Sequence, residues 1–394
     1  MSQQLINLSS DLKRLQNEGY ELTIQNGHVL LSNVPYVNSQ KEVKFGTLVS
    51  DLTLNGNVTK RPSTHVIHFI GEQPCNADGS EIQQIIHIKN NTPLTGNLVA
   101  NRSFSNKPNG GYSDYYHKFT QYVSILQNPA QAISPAVSAQ TYKPIESYSD
   151  DDIFKYIDTN SCRAGITAVS AKLESQRIGI VGLGGTGSYI LDFVSKTPVS
   201  EIHLIDGDEY CQHNAFRSPG STSLDELNLL RFKVEHHKQR YDSMRNGIFA
   251  HPDYLTEQNL HLIEELDFVF ICIDSGSAKK EIFKFLKSKS IPFIDVGLGI
   301  QLVDEKLTGI VRTTLCTTDR HEHLSSIVSL SDANEDDYSS NIQIAELNGL
   351  NAAFAVIKWK KLLGFYHDHN GEHNSTYTIN ANMLLGDEED EDAA

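Results

Sequence analysis

The sequence predicts an α/β protein: a doubly wound, mainly parallel sheet over residues 146–386, preceded by a smaller α+β domain over residues 1–145 and followed by an acidic tail over 387–394. Three observations carry this reading. From Glu174 onward, apolar β runs alternate with helical stretches. Those runs, such as RIGIV at 177–181 and DFVFICI at 267–273, are unbroken rather than alternating, the pattern of strands covered on both faces. The first of them ends in a glycine-rich turn that opens a helix, Gly182-Leu183-Gly184-Gly185-Thr186-Gly187.

The elements follow in order. Leu5 to Asn17 predicts one amphipathic helix. HVLLS (28–32), THVIHFI (64–70) and EIQQIIHI (81–88) predict strands, separated by turn signals at Asn26-Gly27, Asn55-Gly56, Asp78-Gly79 and Pro108-Asn109-Gly110-Gly111. Tyr115 to Leu126 predicts a second helix with Tyr116, Phe119, Tyr122 and Val123 on one face. Residues 129–152 hold three prolines and then Ser147, Ser149 and Asp150 to Asp152, and predict a linker. Beyond it, strands are expected at Arg177–Val181, Glu201–Ile205, Asp267–Ile273 and Pro292–Val296. Helices are expected at Thr186–Ser195, Leu224–Arg245, Ala278–Lys289 and Asn341–Phe365. Alternating βα units of this kind connect parallel neighbours.

Composition narrows the function. The chain has 394 residues, 39% hydrophobic and 21% charged, enough for two or three buried cores. A net charge of −16 argues against a nucleic-acid or anionic-membrane binder. The run from Asp387 to Asp392 holds six acids and reads as a solvated end. Cysteines at 75, 162, 211, 272 and 316 form no C-x-x-C pair, so zinc is not expected and neither is a disulfide framework. MSQQLINLSSDLKRL lacks the basic-then-apolar pattern of a signal peptide, and no apolar run approaches a membrane span. A cytoplasmic protein is the expectation.

The chemistry gathers around the glycine turn. Glycines let a backbone approach phosphates, and the amides of a helix start face an anion. Asp206 ends the next strand, where an acid takes ribose hydroxyls. Asn214, Arg217 and Lys233 follow, a set that suits a triphosphate and its departing pyrophosphate. Asp274 follows the buried strand at 267–273, where a carboxylate can hold Mg²⁺ beside phosphate oxygens or simply cap the next helix. Asp208 is open between a ligand and a turn residue.

GLGGTG, Asp206-x-Asp208, Asn214-x-x-Arg217, Lys233-Val-Glu, Asp274 and Pro292-Phe-Ile-Asp-Val-Gly297 occur together in order. In these, residues from about Arg163 to Phe365 resemble the ThiF/MoeB/HesA family, the ubiquitin-activating-enzyme-like adenylyltransferases. The resemblance implies a Rossmann-like fold of ThiF type, ATP and Mg²⁺, and adenylation of the C-terminal glycine of a β-grasp ubiquitin-like or sulfur-carrier protein. It implies that Gly182, Gly184, Gly185, Gly187 and Asp206 hold the nucleotide, that Asn214, Arg217 and Lys233 meet the phosphates, and that Asp274 meets Mg²⁺. It also implies a homodimer and an upstream arginine over the phosphates, for which Arg163 is the candidate, in cis or in trans. Two features depart from the family: Arg217 is followed by Ser218 where glutamine is common, and the zinc-binding cysteine pairs are absent.

A thiol that receives the acyl group would follow the strand at 292–296. Cys316 is the candidate there, beside Arg312, Arg320, His321 and His323 and before a polar stretch at 317–340; the alternative is a strand-end cysteine without chemistry. Cys75 would be an acyl carrier only if the first domain resembled a ubiquitin-conjugating domain. His236 and His237 read as surface residues. Other readings are a small-molecule or RNA-directed carboxylate-adenylating enzyme, a non-catalytic nucleotide scaffold, and a nicotinamide-dependent oxidoreductase, which Arg217, Lys233 and Asp274 together disfavour.

Overall fold

The computed structural model describes residues 2–145, 152–328, 330 and 342–386. The chain divides into two compact units, Met1–Ile145 and Glu146–Ala394. The acidic run at 387–394, residues 146–151 of the expected linker, and residues 329 and 331–340 of the polar stretch lie outside the described residues.

The first unit is an antiparallel sheet with helices on one face. Its strands are β1 (Glu21–Gln25), β2 (His28–Val37), β3 (Val43–Asp51), β4 (Val66–Ile70), β5 (Ile86–Ile88) and β6 (Arg102–Ser105), in the order β1-β2-β3-β4-β6-β5. The expected helix at 5–17 is two, α1 (Ser2–Leu8) and α2 (Ser10–Asn17), interrupted at Ser9, whose backbone is extended. The helix α3 (Tyr115–Ile133) runs past the expected end and carries Pro129 inside it. Its Tyr115, Phe119, Tyr122 and Leu126 are fully buried against Val29, Leu31, Leu48, Ile67, Phe69 and Phe104. Buried hydroxyls need partners. Tyr115 donates to the Asp51 carbonyl at 2.6 Å, and Tyr122 to the His65 carbonyl at 2.7 Å. Asp11 reaches the start of α3 and accepts from the Tyr115 N–H at 2.9 Å. Cys75 is buried and burial pushes its thiol up, which is the wrong environment for an acyl carrier.

The second unit is an eight-stranded sheet between two helical layers. Its elements are β7 (Arg177–Val181), α4 (Gly185–Ser195), β8 (Glu201–Ile205), α5 (Lys233–Tyr241), β9 (Ile248–His251), β10 (Phe268–Ile271), α6 (Gly276–Ser288), β11 (Phe293–Val303), β12 (Lys306–Cys316), α7 (Ala345–Leu362), β13 (Asn374–Thr378) and β14 (Met383–Gly386). The order is β9-β8-β7-β10-β11-β12-β13-β14. The pairs from β9 to β11 are parallel, and those from β11 to β14 antiparallel. The expected strand at 292–296 is thus the start of a long hairpin. Asp304 and Glu305 turn it, both with positive φ (48° and 60°), the backbone that matches strand twist.

Both faces of the parallel part of the sheet are covered, as unbroken apolar strands require. On one, α4 and α7 bury Ile190, Leu191, Val194 and Trp359 against Ile178, Ile180, Phe268 and Phe270. On the other, α6 buries Ile282, Phe283 and Leu286 against Val181, Val269, Ile271 and Phe293. The expected helix at 224–245 is broken: a turn at Leu224–Leu227 is separated from α5 by a bend at Leu230, which has φ of 46°. His236 and His237 are not on the surface but 5% and 0% exposed, on the inward side of α5 against Tyr210. Tyr210 stacks on His236 at 3.8 Å.

Candidate nucleotide site

A cleft of about 520 Å³ opens at the carboxyl ends of the parallel strands, where ligands of such folds bind. The glycine turn forms its floor. Gly182 has φ of 91°, a conformation that side chains resist, and a Cβ there would sit 2.6 Å from the Cys272 carbonyl oxygen. Gly184 and Gly185 line the cleft. Gly187 does not; it lets α4 pack on the turn, since a Cβ there would come 1.9 Å from the Gly182 oxygen.

Asp206 follows β8, 8% exposed, and fastens the turn. One carboxylate oxygen accepts the Leu183 N–H at 2.6 Å and the other the Asp208 N–H at 2.9 Å. Lys233 opens α5 at 7% exposure, held by its N–H on the Asp208 carbonyl at 2.8 Å. Its ammonium lies 2.5 Å from Asp208 and 3.6 Å from Asp206. Burial alone would raise the Asp208 pKa; hydrogen bonds from Lys233 and Tyr254 more than offset it, and the carboxyl titrates below its usual range. Arg217 also lines the cleft. Burial lowers its pKa, opposed by Asp274 and Asp208, and its Nε has no partner among the described residues. Asp274 is exposed on the cleft wall. The cap of α6 is Ser275, which accepts the Ala278 N–H at 3.4 Å, so that role is already filled.

Not every expected residue arrives here. Asn214 is 1% exposed and outside the lining; its Oδ1 accepts the Cys211 N–H at 2.8 Å and its Nδ2 has no partner. Arg163 is exposed on a short helix, Thr159–Ala164. Its neighbours Asp158 to Ser161 line a second cleft with Leu173, Pro198 and Met244, which precede β7, β8 and β9. That is the amino-terminal edge of the sheet, so Arg163 does not reach the nucleotide cleft of its own chain. Cys316 is also corrected. It ends β12, pairs with Phe293 and is 2% exposed, and burial pushes its thiol up to about 12. A protonated, enclosed thiol is a core residue and not a nucleophile. Cys272 lines the cleft, with its thiol pKa raised by burial.

Other lining residues escaped sequence reasoning. Gln343 and Asn351 come from the far end of the chain, and Asp253, Tyr254 and Leu255 from the loop after β9. Asn351 donates to the Gly297 carbonyl at 3.2 Å and accepts from Thr313 at 3.0 Å. Behind the wall, Asp295 is fully buried between Lys279 at 2.8 Å and Arg312 at 2.6 Å. Asp295 lies in the motif at 292–297, whereas no local signal marks Gln343, Asn351 or the loop at 253–255.

Among the described residues, Asp206, Asp208, Asp253 and Asp274 face the cleft with Arg217 and Lys233 as its cations. Unpartnered buried polar atoms collect around it: Asn214 Nδ2, Arg217 Nε, Gln343 Oε1 and Asn348 Nδ2. Buried groups left this way call for a ligand or water. Among the described residues no three His, Cys, Asp or Glu side chains are grouped to hold a metal by themselves. A single carboxylate beside phosphate oxygens is nevertheless a donor set Mg²⁺ accepts.

The sequence profile of the ThiF family matches residues 162–382. This chain belongs to the ThiF family. A second profile, described only as a domain of unknown function (DUF6791), matches residues 10–159. This ThiF protein is similar to the tRNA threonylcarbamoyladenosine dehydratase of Haemophilus influenzae, 24% identical over 129 residues, 32% of this chain and 49% of the relative. The dehydratase of the same name from Escherichia coli is 25% identical over 122 residues, 30% and 45% of the two chains. The chain spans about half the length of these curated relatives. Among solved structures, PaaA aligns with a TM-score of 0.46 at 16% identity, covering 56% of this chain and 75% of that one. MccB of Escherichia coli, solved with ATP, aligns with a TM-score of 0.43 at 19% identity, covering 56% and 65%. Among the described residues no helix is long and apolar enough to cross a membrane.

Proposed function

We propose that the second unit is an ATP- and Mg²⁺-dependent adenylyltransferase that activates a carboxylate, with the C-terminal glycine of a ubiquitin-like or sulfur-carrier protein as the preferred acceptor. One observation carries the reading: the glycine turn, Asp206, Arg217, Lys233 and Asp274, spread over some ninety residues, line a single cleft at the carboxyl ends of the strands. The attacking carboxylate oxygen bonds to the α-phosphorus as the bond to pyrophosphate breaks, giving an acyl adenylate. An anion approaches an anion, so charge must be offset where it develops. Lys233 and Arg217 are the cations in reach. Asp274 would hold Mg²⁺, which when bound neutralises phosphate charge that two side chains cannot. Asp206 would orient the ribose. The lining carries four carboxylates against two cations, so free ATP is repelled and the magnesium complex is favoured.

No transfer to Cys316 is proposed, for its thiol is enclosed. The adenylate would pass directly to an external nucleophile. Arg163 would serve a cleft only from a second copy, in a homodimer through this unit; sedimentation at micromolar concentration tests that, and a monomer with full activity removes Arg163 from the site. A second reading, in which the carboxylate belongs to a small molecule or to RNA, draws on the two relatives named as tRNA dehydratases. The test is ATP–pyrophosphate exchange with small glycine-ending proteins and with tRNA as alternative acceptors. Exchange driven by the proteins supports the first reading and exchange driven by tRNA the second. ATP binding with no exchange under any acceptor leaves a scaffold.

A further inference from the structure

The loop leaving β9 brings Asp253, Tyr254 and Leu255 into the cleft wall. Tyr254 is the one aromatic side chain among the described lining residues, and it is 64% exposed. Its posture is set from two sides. The ring lies against Gly207, where a Cβ would come within 2.8 to 2.9 Å of three ring atoms, so the backbone is bare at 207 to admit it. Its hydroxyl donates to Asp208. The loop is closed on itself by Asn259, which donates to the Tyr254 carbonyl at 3.0 Å and accepts the Thr256 N–H at 2.7 Å.

Sheet order determines what this ring meets. The glycine turn leaves β7, Asp206 ends β8, and β9 is the next strand outward. Phosphates belong at the turn and the ribose at the acid. A nucleotide laid along that line carries its base past β8, toward the loop that holds Tyr254. The ring stays 64% exposed in this cleft, and a base has a π-face that can cover it.

We propose that Tyr254 is the platform on which a purine base stacks, and that its hydroxyl, through Asp208, ties the base end of the site to Lys233 at the phosphate end. The inference rests on the nucleotide-site reading above and names the group that recognises the base. The chain of contacts is continuous: Tyr254 to Asp208, Asp208 to Lys233 at 2.5 Å, and Lys233 to Asp206 at 3.6 Å. Stacking is the part that selects the ligand, and the hydroxyl is the part that positions.

Equilibrium binding to the full chain tests this without an acceptor. The probes are Mg-ATP, Mg-UTP and inorganic tripolyphosphate, measured by calorimetry on wild type, Tyr254→Ala, Tyr254→Phe and Lys233→Ala. Loss of a stacked aromatic weakens a base contact by roughly ten-fold or more. Tyr254→Ala should therefore bind ATP about ten-fold more weakly, lose most of the preference for ATP over UTP, and hold tripolyphosphate within about two-fold. Tyr254→Phe should recover most of the ATP affinity, and Lys233→Ala should weaken ATP and tripolyphosphate alike. Unchanged ATP affinity in Tyr254→Ala overturns the proposal. So does an equal loss of tripolyphosphate, which would make Tyr254 a support for Lys233 alone. A wild-type chain that binds neither ATP nor tripolyphosphate overturns the nucleotide site itself, a result distinct from the other two.

Discussion

Two arginines of the second unit make opposite use of the same side chain. Arg245, before β9, is fully buried at the amino-terminal edge of the sheet. It donates to the carbonyls of Asn246 at 2.9 Å, Thr197 at 3.0 Å and Val199, and its guanidinium lies 5.8 Å from the Phe154 ring centre. Burial lowers its pKa to about 10. Arg217, at the opposite edge, is half-buried, faces an open cleft and keeps Nε without a partner among the described residues. The first arginine has each of its three nitrogens on a backbone oxygen and stabilises the fold. The second retains donors for something that is not part of the chain. A charged residue near a cleft is informative when its hydrogen bonds are incomplete.

The largest effect that sharpens this contrast is on stability. Arg245→Ala removes the donors to three carbonyls, two of the bonds buried and each of those costing about 1–3 kcal/mol, so urea unfolding should show a loss of at least about 2 kcal/mol. A loss under 1 kcal/mol would make Arg245 dispensable and erase the contrast. Arg217→Ala should do the reverse. Pyrophosphate exchange should fall by about 10²–10³, while the melting temperature moves by no more than about 2 °C. Equal damage to stability by both variants would mean that Arg217 is structural too.

A smaller effect concerns pH. His236 and His237 are buried, and their pKa values are lowered from 6.5 to about 4 and about 3, mainly by desolvation. Below pH 6.5 the unfolded chain takes up protons that the folded chain refuses, so stability falls as pH falls from about 6.5 toward 4. By pH 5.5 the loss should be about 1 kcal/mol per histidine. Unfolding midpoints from pH 7.5 to 5.5 measure it, with His236→Asn/His237→Asn as the control; an equally steep decline in the control assigns the slope to other groups. The smallest effect is at Cys316→Ala. It should cost about 1 kcal/mol of packing and leave exchange unchanged, and loss of exchange at unaltered stability would return the thiol to the site.

How much of this was legible beforehand follows from distance along the chain. The glycine turn, Asp206, Asp208 and Asp274 sit where a strand meets the turn or helix that follows, and Lys233 opens a helix; local pattern finds such junctions. Tyr254 sits in an irregular loop, Gln343 lies just before the distant helix α7 and Asn351 within it, so nothing nearby in sequence marks them. The errors were also local readings overridden by packing. His236 and His237 look polar but lie on the inner side of α5. Leu224–Arg245 has helical composition, yet the chain bends at Leu230 so that Tyr210 can donate its N–H to the Arg231 carbonyl at 2.8 Å. Cys316 stands beside basic residues in sequence, but strand pairing with Phe293 turns it into the core.

The turn at 182–187 has a custodian far away. Thr186 donates to Asn348 at 3.0 Å, across 162 positions, and a Cβ on Gly185 would come 2.0 Å from the Asn348 amide nitrogen. The glycine corner is therefore completed only when α7 docks, late in the order of synthesis. A chain truncated before residue 345 would retain each glycine of the corner but not the Asn348 side chain that packs on it, which makes this late helix, and not the motif alone, the element that sets the shape of the corner.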